Sequence, residues 1–311
     1  MKKVLYTKYN SFRKKEYQIK TALYEENEKK YVSKKALNNE TVSHIERIYS
    51  NSEVLRKLYN SVEILPCKLD GDELIFDFVQ GKTLLDEISY DFKDIDELVS
   101  VINEKLGIVF DIDDRYICKF ELSEKFSDVF PECIPDAVDA YSVSNLDSNL
   151  DNFIINDKKI YCIDYEWVAD FDIPIDYLKY RVLLYFYISR RPYLEKVIGL
   201  NDFIERFGIS EDSQALYFRM EHCFQLYVTK SNNDLLFPVS FYKKSTSLKE
   251  MIGALEENEV LRNRNKQIES ELKRQRVLID SQNERIEEIR RSVKNPVYGI
   301  RRLVRNRMNK K

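Results

Sequence analysis

Histidine is nearly absent from this chain, which contains two histidines in 311 residues. The five cysteines are odd in number and form no Cys-x2-Cys pair, so the sequence favours neither a disulfide framework nor a zinc site. With only His44 and His222 present, histidine-based catalysis and metal binding are not expected. The scattered cysteines are Cys67, Cys118, Cys133, Cys162 and Cys223.

Long apolar runs are also missing. No stretch approaches the roughly 18 apolar residues that would span a membrane, and residues 1–8 lack the apolar segment of a signal peptide. We therefore expect a soluble protein of a reducing, cytoplasmic compartment. The net charge is only −3, which provides no overall field to attract nucleic acid, and no nucleic-acid partner is expected.

Strand and helix patterns divide the first 240 residues into two parts and predict an α+β fold. The first part reads as three strands, a helix and two strands, with Asn39 or Thr41 capping the helix and a break in it at Asn51–Ser52. The predicted strands span residues 4–9, 17–25, 31–37, 62–68 and 73–79. The second part is mostly helical, and its predicted helices span residues 84–89, 95–106, 175–189, 194–207 and 213–227.

A loop and hairpin at residues 144–167 interrupt the helical part and carry the most informative motif. Asp147 is followed by Asn152 five residues later and by Asp164 at the end of an apolar strand. Aspartate and asparagine are also common turn residues, so an isolated Asp-x4-Asn carries little information. Phosphoryl transfer, however, needs a carboxylate near the attacking hydroxyl and an Asn and an acid to hold magnesium. On this interpretation Asp147 is the base and Asn152 and Asp164 are magnesium ligands, with Glu166 on the same strand face as an assisting ligand.

A nucleotide site would also need a lysine on the third strand. Lys34 and Lys35 both qualify, and they point to opposite faces of the strand. Lys34 is the first choice because it shares a face with Val32 and Ala36. A helix acid should hold this lysine, and Glu46 is the first choice for it. The alternatives for the acid are Glu40 and Glu53.

The motif resembles the catalytic loop and metal-binding strand of protein-kinase-like small-molecule kinases, such as aminoglycoside and choline kinases. The run from Leu74 to Leu84, with Phe-x-x-Gly-x-Thr-Leu, resembles their hinge. The resemblance implies that backbone groups near Asp77, Phe78 and Val79 bind the adenine of ATP. It also implies a bilobal fold, with a β-rich N-lobe over residues 1–82 and a helical C-lobe over 83–244.

Within that superfamily the chain resembles kinase-like domains of bacterial surface-polysaccharide assembly. These include the kinase part of the kinase–methyltransferases that terminate O-antigen chains. The residues that carry the resemblance are the hinge, Asn145-Leu-Asp-x4-Asn152, Ile163-Asp-Tyr-Glu-Trp167, Ile173-Pro-Ile-Asp-Tyr177 and Tyr180-Arg181. The resemblance implies ATP and Mg²⁺ as cofactors, Asp147 as the catalytic base, and a glycan or lipid-linked sugar as the acceptor.

Two departures from the family pattern bear on activity. Asn145 stands where most aminoglycoside-type kinases have histidine. The turn after the first strand, residues 10–15, contains no glycine, so it lacks the Gly-rich loop that covers the phosphates. Arg13, Lys14 and Lys15 are the candidates to substitute for that loop.

The chain changes character after residue 245. Heptad steps from Met251 to Val293 place apolar residues at nine of 13 core positions, which predicts a coiled coil over residues 245–294 and a homo-oligomer. A single solvated helix is the alternative. Residues 295–311 then carry six Lys or Arg and no acid, in the pattern of a basic amphipathic helix. Such a helix suits an anionic membrane surface or a glycan-assembly enzyme, so peripheral attachment at the inner face of the cell membrane is expected.

Two functions follow from these patterns. The first is an ATP- and Mg²⁺-dependent kinase that phosphorylates a sugar hydroxyl of a surface glycan. The second is a catalytically inactive kinase-like scaffold that oligomerises and recruits glycan-assembly enzymes to the membrane. The complete Asp147, Asn152 and Asp164 set favours the first, and the missing Gly-rich loop favours the second.

Overall fold

A computed structural model describes residues 2–89 and 91–229, together with residues 283, 286, 287 and 290. Contacts divide the chain into two units, Met1–Lys243 and Lys244–Lys311. The first unit has a β-rich amino-terminal part and a mostly helical second part, which confirms the predicted α+β class. None of the helices in the described part of the chain is both long and apolar enough to span a membrane.

The amino-terminal part is built on a five-stranded antiparallel sheet with the order β1-β2-β3-β6-β5. Its strands are β1 Lys3–Tyr9, β2 Ile19–Glu26, β3 Lys29–Ala36, β5 Cys67–Asp70 and β6 Glu73–Asp77. Asn27 and Glu28 form the β2–β3 turn with φ of 51° and 66°, which suits a two-residue hairpin. The predicted strand over residues 62–68 is in fact two strands: Pro66 separates β4 (Val62–Ile64) from β5, and β4 joins a different sheet.

Helix α1 (Val42–Leu55) packs against this sheet through Ile45, Ile48 and Leu55, each at most 1% exposed. The predicted break at Asn51–Ser52 is wrong, because both residues lie in the buried face of a continuous helix. The Asn51 amide donates to the carbonyls of Tyr165 and Glu166, at 3.1 and 3.3 Å, so a polar residue is satisfied inside the core.

A second sheet, β4-β12-β11-β7, joins the two parts. It contains β7 Lys82–Thr83, β11 Phe153–Asn156 and β12 Lys159–Cys162. β11 and β12 form an antiparallel hairpin, and β4 pairs with β12 in parallel. Gly81 precedes β7 and lies close to the neighbouring strand β11, where a Cβ would lie 2.1 Å from the Ile155 carbonyl oxygen. Only glycine fits this close approach.

The helical part has a core of fully buried residues that includes Tyr177, Leu183, Phe203 and Met220. Its helices are α2 Ile95–Val109, α3 Glu124–Val129, α4 Ile175–Ser189, α5 Arg191–Leu194, α6 Leu200–Glu205 and α7 Glu211–Val228. Short strands pair among them: β8 Ile117–Lys119, β9 Asp139–Tyr141, β10 Ser144–Asn145, β13 Val168–Ala169 and β14 Ile173–Pro174.

Two predicted helices differ from the structure. Residues 84–89 form a turn, in which the Asp86 N–H donates to the Thr83 hydroxyl at 3.0 Å. The predicted helix over 194–207 is divided between α5 and α6, and Gly199 precedes α6.

The predicted coiled coil, residues 245–294, and the basic tail, residues 295–311, lie outside the described residues, apart from four positions of the coiled coil. Those four, Asn283, Ile286, Glu287 and Arg290, are helical. The Arg290 guanidinium is 3.0 Å from the Glu287 carboxylate.

Candidate active site

The loop after β10 and the β11–β12 hairpin bring the three motif residues together. Phe153 pairs with Cys162, and the Ile163 N–H donates to the Asn152 carbonyl at 2.9 Å. Asn152 and Asp164 therefore lie at the same end of the hairpin. The side-chain amide of Asn152 donates to the Asp147 carbonyl at 2.8 Å, which joins the third motif residue to them.

Asp147 is held by hydrogen bonds on both its main chain and its side chain. Its N–H donates to the Asn145 side-chain oxygen at 3.0 Å, and its carboxylate accepts the Trp167 N–H at 3.0 Å. Asn145 thus orients the loop that carries Asp147. Its amide also reaches the Asp164 carbonyl at 3.3 Å.

A buried arginine fixes the same loop from the helical part. Arg181 Nε donates to the Leu146 carbonyl at 3.2 Å, directly before Asp147. Arg181 is 4% exposed and forms an ion pair with Glu221, which is completely buried and also accepts the Tyr185 hydroxyl at 2.8 Å. Removing one member of such a pair would leave a buried charge without a partner, which is strongly destabilising.

The surroundings of the Asp147 carboxyl group raise its pKa towards neutral pH. Burial raises its pKa to about 7, and the charges of Asp164 and Glu166 act in the same direction against an opposing effect of Lys34. A carboxylate with a pKa near the working pH is suited to accept a proton from a substrate hydroxyl.

Lys34 lies inside the site, and Lys35 lies outside it. The Lys34 ammonium is 2.6 Å from the Asp164 carboxylate, and its side chain is 8% exposed. Burial lowers the Lys34 pKa, but the charges of Asp164 and Glu166 outweigh burial and raise it overall, so Lys34 stays charged. Lys35 is 45% exposed and pairs with Asp72 at 3.1 Å.

Glu46, the acid expected to pair with Lys34, does not contact it. The buried stripe of α1 runs through His44, Ile48 and Asn51, and Glu46 falls on the exposed side of the helix. The assignment of Glu46 as the acid that holds Lys34 is therefore corrected. The two alternatives are also elsewhere, because Glu40 pairs with Lys15 and Glu53 pairs with Arg56.

Glu166 is a second carboxylate near Lys34, after Asp164. One of its oxygens accepts from Arg13 and lies 2.8 Å from His44 Nε2, and the other lies 3.8 Å from the Lys34 ammonium. The side chain is 5% exposed. Burial raises the Glu166 pKa, but the neighbouring Arg13, His44 and Lys34 hold it below its usual range.

These contacts also correct the expectation that Glu166 assists a metal, because both of its oxygens face cationic or donor groups. Asp164 and Asn152 do fit magnesium: the Asp164 side chain is 34% exposed, and the Asn152 amide nitrogen is used by Asp147, which leaves its oxygen as an acceptor. No group of three His, Cys, Asp or Glu that could hold a metal occurs among the described residues. Magnesium at a nucleotide site needs only one or two carboxylates, with phosphates and water completing its shell.

The predicted hinge residues lie between the first sheet and Gly81. Asp77 ends β6, and the Phe78 N–H donates to the Lys30 carbonyl at 3.1 Å. That N–H is therefore committed to the sheet, and adenine binding by the other backbone groups near Asp77, Phe78 and Val79 stays a prediction. Phe78 is 41% exposed, and Val79 packs against the core.

The sequence interpretation missed His44, Glu221 and the structural role of Arg181. His44 had a detectable signal, because it is a polar residue on the apolar stripe of α1 with Ile45 and Ile48. Nothing local marked Arg181 and Glu221 as partners, since they are 40 residues apart on different helices.

No protein-family model matches the chain, and no curated protein matches it. Solved structures that resemble it include aminoglycoside and macrolide phosphotransferases. The aminoglycoside phosphotransferase APH(4)-Ia is 12% identical, with 71% of this chain and 94% of that chain covered and a TM-score of 0.35. A macrolide 2′-phosphotransferase type I is 11% identical, with 78% and 91% covered and a TM-score of 0.37. The streptomycin–ATP complex of APH(2″)-IIa is 11% identical, with 82% and 90% covered and a TM-score of 0.33. At these scores the likeness assigns no activity to this chain.

Proposed function

We propose that residues 1–244 form a bilobal protein-kinase-like phosphotransferase, with an N-lobe over 1–82 and a C-lobe over 83–244. It uses ATP and Mg²⁺ to phosphorylate a sugar hydroxyl of a surface glycan or of its lipid-linked precursor. The sequence resemblance to the kinase part of O-antigen chain-terminating kinase–methyltransferases suggests this acceptor.

One observation carries the proposal. Lys34 from the first sheet contacts Asp164 at 2.6 Å, beside an Asp147 and an Asn152 that are hydrogen-bonded to each other. Residues 130 positions apart thus form one site with a cation, two carboxylates and an amide oxygen. These are the groups that phosphoryl transfer uses.

Each residue has a role in the proposed reaction. Asp147 accepts the proton of the attacking hydroxyl, and its pKa of about 7 suits that task. Lys34 binds phosphate oxygens, and Asp164 and Asn152 would hold magnesium. When bound, magnesium neutralises the charge that develops on the transferred phosphoryl group.

A second candidate is the inactive scaffold. It is favoured by the loop of residues 10–15, which has no glycine and sends Arg13 to Glu166. In either case we propose residues 245–294 as a homo-oligomerising coiled coil and residues 295–311 as the segment that binds an anionic membrane or a glycan-assembly enzyme. Light scattering of the full chain beside a chain ending at residue 241 tests the first of these. Sedimentation with anionic liposomes, with and without residues 295–311, tests the second.

The test of the kinase is transfer of radiolabelled γ-phosphate from ATP to membranes that carry lipid-linked surface glycan. Asp147→Asn is compared with Asp157→Asn, a control at the tip of the β11–β12 hairpin, where φ is 45° and asparagine is tolerated. We expect Asp147→Asn to reduce transfer by about 10²–10⁴-fold and the control to leave it unchanged. Full transfer by Asp147→Asn would contradict the role of Asp147. ATP binding without any acceptor-dependent transfer by the wild type would favour the scaffold.

A further inference from the structure

The loop after β1, residues 10–17, is ordered by contacts that do not need glycine. The Arg13 N–H donates to the Asn10 carbonyl at 3.1 Å, and the Gln18 side chain donates to the Ser11 and Arg13 carbonyls at 3.0 and 2.8 Å. The end of α7 holds the other side, because the Lys14 N–H donates to the Val228 carbonyl at 2.9 Å. The loop is therefore fixed from both the sheet and the helical part.

The three cations of this loop point in different directions. The Arg13 side chain is 16% exposed and reaches Glu166, and its guanidinium lies 5.7 Å from the centre of the Trp167 ring. The Lys14 ammonium lies 5.4 Å from the centre of the Tyr227 ring. Lys15 is 66% exposed and pairs with Glu40 at 3.6 Å. Only Arg13 of the three faces the site.

Arg13 and Lys34 share one carboxylate. Arg13 bonds one oxygen of Glu166, and the Lys34 ammonium lies 3.8 Å from the other oxygen. Within residues 2–89 and 91–229, Glu166 is the one hydrogen-bond partner of the Arg13 guanidinium. A guanidinium has five N–H donors, so most of those on Arg13 are left for a ligand.

We infer that Arg13 is a phosphate-binding residue of the nucleotide site, which Glu166 orients together with Lys34. The inference rests on the proposed function. A planar guanidinium binds phosphate oxygens through two parallel hydrogen bonds, which a lysine cannot do. Arg13 thus supplies from a side chain the donors that a glycine-rich loop supplies from its backbone, and the ligand it selects is a nucleoside polyphosphate.

The test is calorimetric titration of ATP with Mg²⁺ into the full-length protein. Arg13→Gln is compared with Lys15→Gln, a control on the same loop whose side chain faces solvent. We expect Arg13→Gln to weaken ATP binding about 10- to 100-fold, the range for a charge-assisted hydrogen bond, and Lys15→Gln to change it less than about 2-fold. Arg13→Lys should fall between them.

A double-mutant cycle separates phosphate binding from support of Glu166. If Arg13 contacts phosphate, Arg13→Gln still weakens ATP binding in the Glu166→Gln background, although by less than in the wild type, because Glu166 no longer orients the guanidinium. If Arg13 serves only as the counter-ion of Glu166, its effect disappears in the Glu166→Gln background, and the inference is overturned. The second background also keeps the test informative if Arg13→Gln alone fails to fold.

Two other outcomes distinguish failure of the inference from failure of the proposed function. Unchanged ATP affinity in Arg13→Gln, with a wild type that binds ATP, overturns the inference and leaves the proposed function standing. Absence of ATP binding by the folded wild type contradicts the proposed function and the inference together.

Discussion

The ammonium of Lys34 lies 2.6 Å from a carboxylate oxygen of Asp164, although 130 positions separate the two residues. The Lys34 side chain is nearly buried, and that of Asp164 is one-third exposed. A buried lysine stays charged only when it is paired, and Asp164 and Glu166 provide the pairing. This contact joins β3 of the first sheet to the segment after β12 that would hold the metal.

Replacing Lys34 tests this contact. Lys34→Met should weaken binding of magnesium–ATP by about 2–4 kcal/mol, because a fully desolvated charged donor to phosphate is lost. Lys35→Met is the matched control on the opposite face of β3, and it should change binding by less than about 0.5 kcal/mol. Calorimetric titration measures both. Equal losses for the two variants would contradict the placement of Lys34 in the site.

The Arg181–Glu221 pair gives a prediction that concerns stability and the loop together. Arg181→Met should lower the free energy of unfolding by about 3–5 kcal/mol, because the fully buried Glu221 carboxylate loses its counter-ion. The double variant Arg181→Met/Glu221→Met should recover most of that stability, as measured by urea unfolding. In the double variant the Asp147 N–H should nevertheless exchange with solvent faster. The Leu146 carbonyl has lost the hydrogen bond from Arg181, so the loop is held less firmly. Unchanged exchange in the double variant would argue against a positioning role for Arg181.

Asp147 should make stability depend on pH in the absence of magnesium and nucleotide. Its native pKa is raised to about 7 from an ordinary value of 3.8, so the native state binds more protons than the unfolded state between these values. The stabilising contribution is complete below about pH 4 and is lost as the pH rises to 7. Asp147→Asn has no titrating group at this position and avoids this loss. Its free energy of unfolding, relative to that of the wild type, should therefore increase between pH 4 and 7 by at most about 4 kcal/mol.

Glu166 provides the control for that experiment, because its shift has the opposite sign. Its native pKa is lowered, so its stabilising contribution is present above the unfolded value and is lost as the pH falls. Glu166→Gln should therefore be most destabilised near pH 7 and least in acid. Parallel pH curves for the Asp147 and Glu166 variants in urea unfolding would contradict the contacts described for both.

Two glycines should respond to alanine in opposite directions. A Cβ on Gly81 would lie 2.1 Å from the Ile155 carbonyl oxygen, so Gly81→Ala should lower the free energy of unfolding by about 1–3 kcal/mol or more. Gly107, inside α2, has no atom within 4 Å of its added Cβ, and Gly107→Ala should stabilise by about 0.5–1 kcal/mol. Chemical denaturation of both variants checks the pair. Stabilisation by Gly81→Ala would mean that the chain at Gly81 does not approach β11 as closely as described.

Local sequence patterns are enough to predict most strands of the amino-terminal sheet. Strand patterns predicted β1, β2 and β3 to within a few residues, with apolar alternation as the signal for β2, and the sequence around Asp147, Asn152 and Asp164 predicted a loop followed by a hairpin. The helix acid could not be found in this way. Glu46 is central on α1 by position, whereas the turn of the helix buries His44 and Asn51 and leaves Glu46 exposed, and Lys34 pairs with Asp164 and Glu166. Such pairings depend on how α1 packs against the segment that follows β12, which periodicity does not specify.

The most direct test of the account is calorimetric titration of ATP into the full-length protein, with and without Mg²⁺, beside Asp164→Asn. Asp170→Asn is the matched control, because its side chain is 70% exposed and pairs with Lys125. We expect magnesium-dependent binding in the wild type and in Asp170→Asn, and its loss in Asp164→Asn. ATP binding that ignores magnesium, or that persists unchanged in Asp164→Asn, would contradict a kinase-type site.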